Sequence, residues 1–209
     1  MIKFGIYAIT PPYQEGMDYQ IPIEQAIAGG IDVLQFRTKN ISDIEFFQMA
    51  QRIRDITLKS KVPFIINDRV DVALAVQADG VHLGSDDIPI SYARKMLNKP
   101  SPLLDKQILG FSAHTPGEIQ NAQENGADYI AFGPVYSTPY KKERKEVGTE
   151  MLKKVRETAR IPIVAVGGIN LENLEEVIET GVDGIAVIRA IFDAENIEEA
   201  VRMLKERFV

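Results

Sequence analysis

An eightfold alternation constrains this chain more than any other feature. Short, nearly unbroken apolar runs lie at residues 4–9, 32–36, 62–66, 79–83, 107–111, 128–133, 161–166 and 184–188. Between and after them, segments with helical spacing lie at 21–29, 42–58, 69–77, 89–97, 115–125, 149–159, 171–180 and 195–207. A strand that is apolar at consecutive positions is buried on both faces, which requires a parallel sheet covered by helices. Eight such units predict a single-domain (β/α)8 TIM barrel over residues 1–209. A doubly wound open sheet is the alternative, but it rarely carries eight parallel strands in so short a chain. At 209 residues the chain is short for a barrel, so its loops must be lean. Ser42 with Glu45, and Thr115-Pro116 with Glu118, mark two helix starts as capping boxes.

The last two apolar runs carry the first hint of chemistry. Ile161 to Val166 leads into Gly167-Gly168-Ile169, and Gly181-Val182-Asp183-Gly184 opens the run that ends at Ile188. Glycine lets backbone approach a ligand closely because no side chain intervenes. The loops after strands seven and eight, with a short extra helix, form the usual phosphate pocket of this fold. A phosphorylated ligand is therefore expected.

Barrel chemistry sits at the C-terminal ends of the strands. The second strand ends Gln35-Phe36-Arg37-Thr38-Lys39, and alternation places Gln35, Arg37 and Lys39 on one side. Two cations and an amide facing one pocket suit a polyanion, whereas a surface salt-bridge cluster is the plainer reading. The third strand ends Asn67-Asp68-Arg69, and the fourth gives His82-Leu83-Gly84-Ser85-Asp86-Asp87. Carboxylates on neighbouring strand ends beside anion-binding groups suit Mg2+, which needs one or two carboxylates plus substrate oxygens. Against this stands helix capping, by Asp68 before Arg69 and by Asp86 or Asp87 before Pro89. His82, among apolar neighbours, reads as a packed and hydrogen-bonded residue. Ser112 either donates to phosphate or bonds local backbone, and His114 has no triad partner at fixed spacing. After strand six, Thr138 and Lys141 are candidate phosphate contacts, and Lys141 to Lys145 is either a solvated loop or part of a lid. Residues 98–106 fall on the opposite, stability face, where no chemistry is expected.

Composition removes several classes of function. A net charge of −6 argues against a general nucleic-acid or membrane surface. The absence of cysteine excludes disulfides, thiolate catalysis and cysteine metal sites, and two histidines exclude a histidine-rich metal centre. No uncharged apolar run approaches the ~20 residues of a membrane span. The chain opens directly on a strand-like run with no signal peptide, so the cytoplasm is the default expectation. Assembly as a homo-oligomer is left open.

Taken in order, these strand ends resemble the thiamine phosphate synthase family and its relatives, the TenI-type thiazole tautomerases. The resemblance runs from Tyr7-Ala8-Ile9-Thr10 to Ala186-Val187-Ile188. Its most specific pieces are Gln35 to Lys39, Asn67 to Ala73, Ala78 to Gly84, Gly133-Pro134-Val135-Tyr136 and Val166-Gly167-Gly168-Ile169. It implies a transferase in which a hydroxymethylpyrimidine loses its diphosphate and is captured by the nitrogen of a thiazole phosphate. The products are thiamine phosphate and pyrophosphate. It further implies that Gln35, Arg37, Lys39 and Asn67 hold the pyrimidine diphosphate, that Asp68 and Asp87 hold Mg2+, and that Ser112 and Lys141 contact the diphosphate. Thr138, Gly168 and Ile188 would contact the thiazole phosphate, with Arg37, Lys39 and Lys141 acting in the chemistry itself. The chain departs from the family pattern at Ala113, Tyr140 and Arg189, where threonine, threonine and serine are usual. Arg189 is expected at the rim of the phosphate pocket. The tautomerase reading calls for a histidine where this chain has Pro134. A phosphate-ligand sensor without turnover is the remaining alternative.

Overall fold

The computed structural model describes residues 2–140 and 145–208. Eight parallel strands close into a barrel in sequence order, with β1 pairing β8. They are β1 (Gly5–Ile9), β2 (Val33–Phe36), β3 (Phe64–Asn67), β4 (Gly80–Leu83), β5 (Ile108–Ala113), β6 (Tyr129–Phe132), β7 (Ile163–Val166) and β8 (Gly184–Val187). The helices are α1 (Gln20–Gly29), α2 (Asp43–Ser60), α3 (Val70–Ala75), α4 (Ile90–Met96), α5 (Pro116–Glu124), α6 (Gly148–Thr158), α7 (Leu174–Ile178), α8 (Arg189–Phe192) and α9 (Ile197–Phe208). The expected barrel is present, and the short extra helix after the eighth strand is α8. Both capping boxes form, with Ser42 and Thr115 accepting from the backbone N–H of Glu45 and Glu118. Helices α3 and α7 are shorter than their apolar spacing suggested, because Arg69 lies outside the helix and residues 76–77, 171–173 and 179–180 are spent on turns.

Alternation divides the core in two. Outward-facing residues such as Leu34, Phe36, Ile66, Leu83 and Phe132 pack under the helices. Inward-facing Tyr7, Ile9, Val33, Ile65, Tyr129, Val164 and Ala186 fill the barrel interior. Large rings fit there because glycines face them. A Cβ on Gly110 would stand 2.1 Å from Cζ of Tyr129, and one on Gly184 would stand 2.8 Å from Cβ of Phe4.

The even strands are entered by one device repeated four times around the N-terminal face, and β2, β4 and β6 each begin one residue later than their apolar runs because of it. Asp32, Asp79, Asp128 and Asp183 directly precede the even strands. Each accepts the backbone N–H of a residue on the preceding odd strand: Ile6 (2.9 Å), Phe64 (2.9 Å), Leu109 (2.7 Å) and Ile163 (2.8 Å). Each also pairs with a cation: Arg54 (2.7 Å), Arg94 and Arg156 (3.6 Å) come from the helix that leads into the odd strand, and Lys205 (3.1 Å) comes from α9, the last helix of the chain. Two residues before each aspartate the backbone is left-handed, at Gly30, Gln77, Gly126 and Gly181, which ends the helical turn there and turns the chain into the strand. The barrel is thus a fourfold repetition of one strand-entry device. Residues 98–106 belong to this face as expected. Ser101 Oγ donates to Asp79 at 2.6 Å, adding to its coordination.

Candidate functional site

At the opposite face the strand ends surround a cavity of about 470 Å³. Gln35, Arg37, Lys39, Asn67, Asp68 and Asp87 line one half of it. Ser112, Thr138, Gly168, Ile188 and Arg189 line the rest. Every site residue expected from the sequence is therefore brought to one cavity except Lys141, which lies outside the described residues.

On β2, Gln35 is buried and inward-facing, while Phe36 between it and Arg37 packs into the outer core. Arg37 follows the end of the strand and is held there by Thr10. The Thr10 hydroxyl accepts from Arg37 N at 2.9 Å and lies 3.1 Å from the Arg37 carbonyl. Sequence reasoning gave Thr10 no role, although its place at the end of β1 is a signal in retrospect. The surface salt-bridge reading of this cluster fails, since neither Arg37 nor Lys39 is in an ion pair among the described residues.

Asp68 leaves β3 with a left-handed backbone, φ 63°, a conformation that aspartate tolerates better than most residues. Its carboxyl lines the cavity, while neighbouring Arg69 turns away to Asp43 (2.6 Å) and Asp71 (2.7 Å). The capping alternative is overturned: neither α3 nor α4 has a side-chain cap. Asp87 instead accepts from Gly84 N at 2.7 Å, closing the turn after β4 and directing its carboxylate at Asp68. The Asp68 carboxyl is pushed up to about 6, first by burial and then by the charge and hydrogen bond of Asp87, against the pull of Lys39 and Arg37. Two oxygen-donor side chains held together against their own repulsion are a fitting pair for a hard divalent cation. Among the described residues no group of three or more histidine, cysteine or acidic side chains is placed to hold a metal ion. Any such cation would therefore complete its shell with water or ligand oxygens.

Ser112 lies at the end of β5, its Oγ 2.9 Å from His82 Nε2, and His82 Nδ1 is 3.0 Å from the Tyr129 hydroxyl. His82 is thus the packed, hydrogen-bonded residue its setting suggested. His114 borders the cavity, with Nδ1 at the Gly133 carbonyl and its backbone N–H on Glu118.

Gly167 and Gly168 have φ of 101° and 67°. A Cβ on Gly168 would be 2.6 Å from the Ser137 carbonyl oxygen, and one on Gly167 would be 2.5 Å from Cβ of Pro134. The glycine pair was expected to admit a ligand. It also admits the loop after β6, so that Thr138 reaches the same cavity wall.

Arg189 borders the cavity, but its Nε donates to Asp193 at 2.7 Å and the side chain is largely exposed. Tyr140, also on the cavity, sits within the fields of Asp193, Arg189 and Arg37; burial is the main cause of its raised phenol. These two departures from the family pattern therefore adjoin each other over one end of the site.

A family model described as thiamine monophosphate synthase matches residues 6–191. The chain is 43% identical over 212 residues to a thiamine-phosphate synthase of Caldanaerobacter subterraneus, covering 99% of this chain and 96% of that one. It is 45% identical over 204 residues to one from Clostridium acetobutylicum, covering 97% and 94%. Among solved structures, a thiamine phosphate pyrophosphorylase from Pyrococcus furiosus superposes with a TM-score of 0.87 at 38% identity, covering 99% and 96%. A 3-hexulose-6-phosphate synthase superposes with a TM-score of 0.71 at 14% identity, a likeness of fold alone. With the match running through every strand of the barrel and every strand end that builds the cavity, the chain belongs to the thiamine monophosphate synthase family.

Proposed function

We propose that this cavity joins a hydroxymethylpyrimidine diphosphate to a thiazole phosphate, making thiamine phosphate and pyrophosphate. The reaction breaks the bond between the pyrimidine methylene carbon and the diphosphate oxygen, and the electron pair leaves with the diphosphate. The thiazole nitrogen supplies its lone pair to the same carbon, so no proton need move. Catalysis then consists of stabilising charge that develops on the leaving group and of orienting the nucleophile.

The observation that carries this reading is the meeting of Arg37, Lys39, Asp68 and Asp87 at adjoining corners of one cavity. In the proposed roles, Arg37 and Lys39 neutralise the diphosphate, joined by Lys141. Gln35 and Asn67 hold the pyrimidine, and Ser112 donates to a diphosphate oxygen. Asp68 and Asp87 hold Mg2+, which would supply further positive charge at the leaving oxygens. Thr138, Gly168 and Ile188 border the thiazole phosphate. The cavity volume falls in the usual range for small-molecule sites. No described helix is long and apolar enough to cross a membrane. The tautomerase alternative has no titratable group at Pro134 to move a proton.

Incubation with both substrates and Mg2+ should yield thiamine phosphate, detected by mass spectrometry, with one pyrophosphate released per product. Binding of both substrates without turnover would leave only the sensor reading.

A further inference from the structure

A file of hydrogen-bonded side chains crosses the barrel beneath the cavity and connects two residues that face it. Gln35 Nε2 donates to the Tyr7 hydroxyl at 2.7 Å, which lies 2.7 Å from the Tyr129 hydroxyl. Tyr129 is 3.0 Å from His82 Nδ1, and His82 Nε2 is 2.9 Å from Ser112 Oγ. Tyr7, Gln35, His82 and Tyr129 are each 5% exposed or less. Burial raises both phenols well above their ordinary value, so each keeps its proton. Gly110 makes room for the crossing, since a Cβ there would lie 2.4 Å from the Tyr129 hydroxyl oxygen.

A phenol has one proton to give, and so has a neutral imidazole. Setting the direction at one end of such a file therefore sets it throughout. With Gln35 giving its amide N–H to Tyr7, Tyr7 gives to Tyr129 and Tyr129 gives to His82 Nδ1. His82 then carries its proton on Nε2 and gives it to Ser112. The Ser112 proton is left for the cavity, and so is the Gln35 carbonyl oxygen, which has no hydrogen-bond partner among the described residues. The opposite direction spends the Ser112 proton on His82 and turns the Gln35 amide N–H toward the cavity. Only the first direction offers a donor to an anion at Ser112.

We propose that Tyr7, His82 and Tyr129 form a positioning unit that holds Ser112 as donor to the diphosphate and Gln35 as acceptor for an N–H substituent on the pyrimidine. Both ends of one substrate are then read through a single hydrogen-bond direction, and a ring lacking that N–H is rejected because the Gln35 oxygen goes unpaired. This rests on the proposed synthase reaction. If the wild-type chain releases no pyrophosphate from the two substrates, that reading fails; the outcomes below concern the positioning unit alone.

The chain has only two histidines, so imidazole nitrogen-15 spectra are readily assigned. With inorganic pyrophosphate and Mg2+ bound to the wild-type chain, His82 should show a protonated Nε2 and an accepting Nδ1. The opposite tautomer would overturn the proposal. In Tyr129→Phe and Tyr7→Phe, the preference in kcat/KM for the aminopyrimidine diphosphate over its methyl-for-amino analogue should fall about two- to tenfold, the net worth of one hydrogen bond. The KM for thiazole phosphate should be unchanged. An undiminished preference in either folded variant would also overturn it. Should Tyr129→Phe fail to fold, Tyr7→Phe and the wild-type tautomer decide.

Discussion

Asp68 and Asp87 face each other across the ends of β3 and β4, one presented by a left-handed backbone and the other tied to the turn at Gly84. Neither is spent on a helix cap, and burial, then the charge and hydrogen bond of Asp87, raises the Asp68 carboxyl to about 6. A pair arranged this way lowers the stability of the empty fold and is useful once a cation lies between them. The first two predictions follow from it.

Asp68→Asn and Asp87→Asn should each lower Mg2+-dependent pyrophosphate release by about 10²–10³, the usual loss on removing one electrostatic stabiliser of a transition state. Both variants should stay folded, because asparagine keeps an oxygen acceptor. Full activity in both at unchanged melting temperature would remove the metal pair from the proposed mechanism.

The stability of the cation-free protein should carry the mark of Asp68. An unfolded aspartate ionises near pH ~3.9, while the folded one holds its proton to about 6. Between those values the folded state binds more protons than the unfolded state, so this group's contribution falls as pH rises and is flat above the window. The melting temperature of Asp68→Asn, compared with wild type in chelator, should gain ground from pH 4 to 6.5 and then hold level. Adding Mg2+ should restore the wild-type chain. A difference independent of pH would show that neither burial nor Asp87 holds the Asp68 proton.

Arg37→Ala and Lys39→Ala should weaken the pyrimidine diphosphate by about 1.5–3 kcal/mol each, as expected for lost charge-assisted contacts. Thiazole phosphate affinity should change much less. Calorimetry with each substrate alone separates the cases, and an equal loss for both would make these residues supports of the barrel rim.

Arg189 is held by Asp193 at 2.7 Å, so phosphate must compete with that carboxylate for the guanidinium. Asp193→Asn should therefore tighten thiazole phosphate binding, and Arg189→Ser should weaken it and reduce its salt dependence. Tighter binding in Arg189→Ser would mark the arginine as an obstruction.

On the N-terminal face the four strand-entry aspartates differ in burial, which predicts unequal costs. Asp79 is fully buried against Arg54, itself 6% exposed, whereas Asp183 and Arg156 are each about one-third exposed. Asp79→Asn leaves a buried cation uncompensated and should cost about 3–5 kcal/mol. Asp183→Asn should cost under about 1 kcal/mol. Denaturant unfolding of both variants measures the difference, and equal costs would refute the role of burial.

Much of this molecule follows from local pattern. The unbroken apolar runs pointed to a parallel sheet, their number favoured closure over an open sheet, and strand-end position picked out Gln35, Arg37, Lys39, Asp68 and Ser112 before any contact was known, while the family resemblance singled out Asn67 and chose Asp87 over Asp86. Periodicity reports which face a residue occupies, and in a barrel the face and the end of the strand together determine the address. Three features needed the tertiary structure. Asp68 could also be read as a cap, and its left-handed backbone beside Asp87 separates the two roles. Arg189 read as a phosphate contact, but its pairing with Asp193 depends on a four-residue helix whose turn places them together. The file from Gln35 to Ser112 joins residues on five strands, with Tyr7 and Tyr129 separated by 122 positions. Sequence spacing carries no information about such a meeting, because closing the barrel is what brings those strands to a common interior.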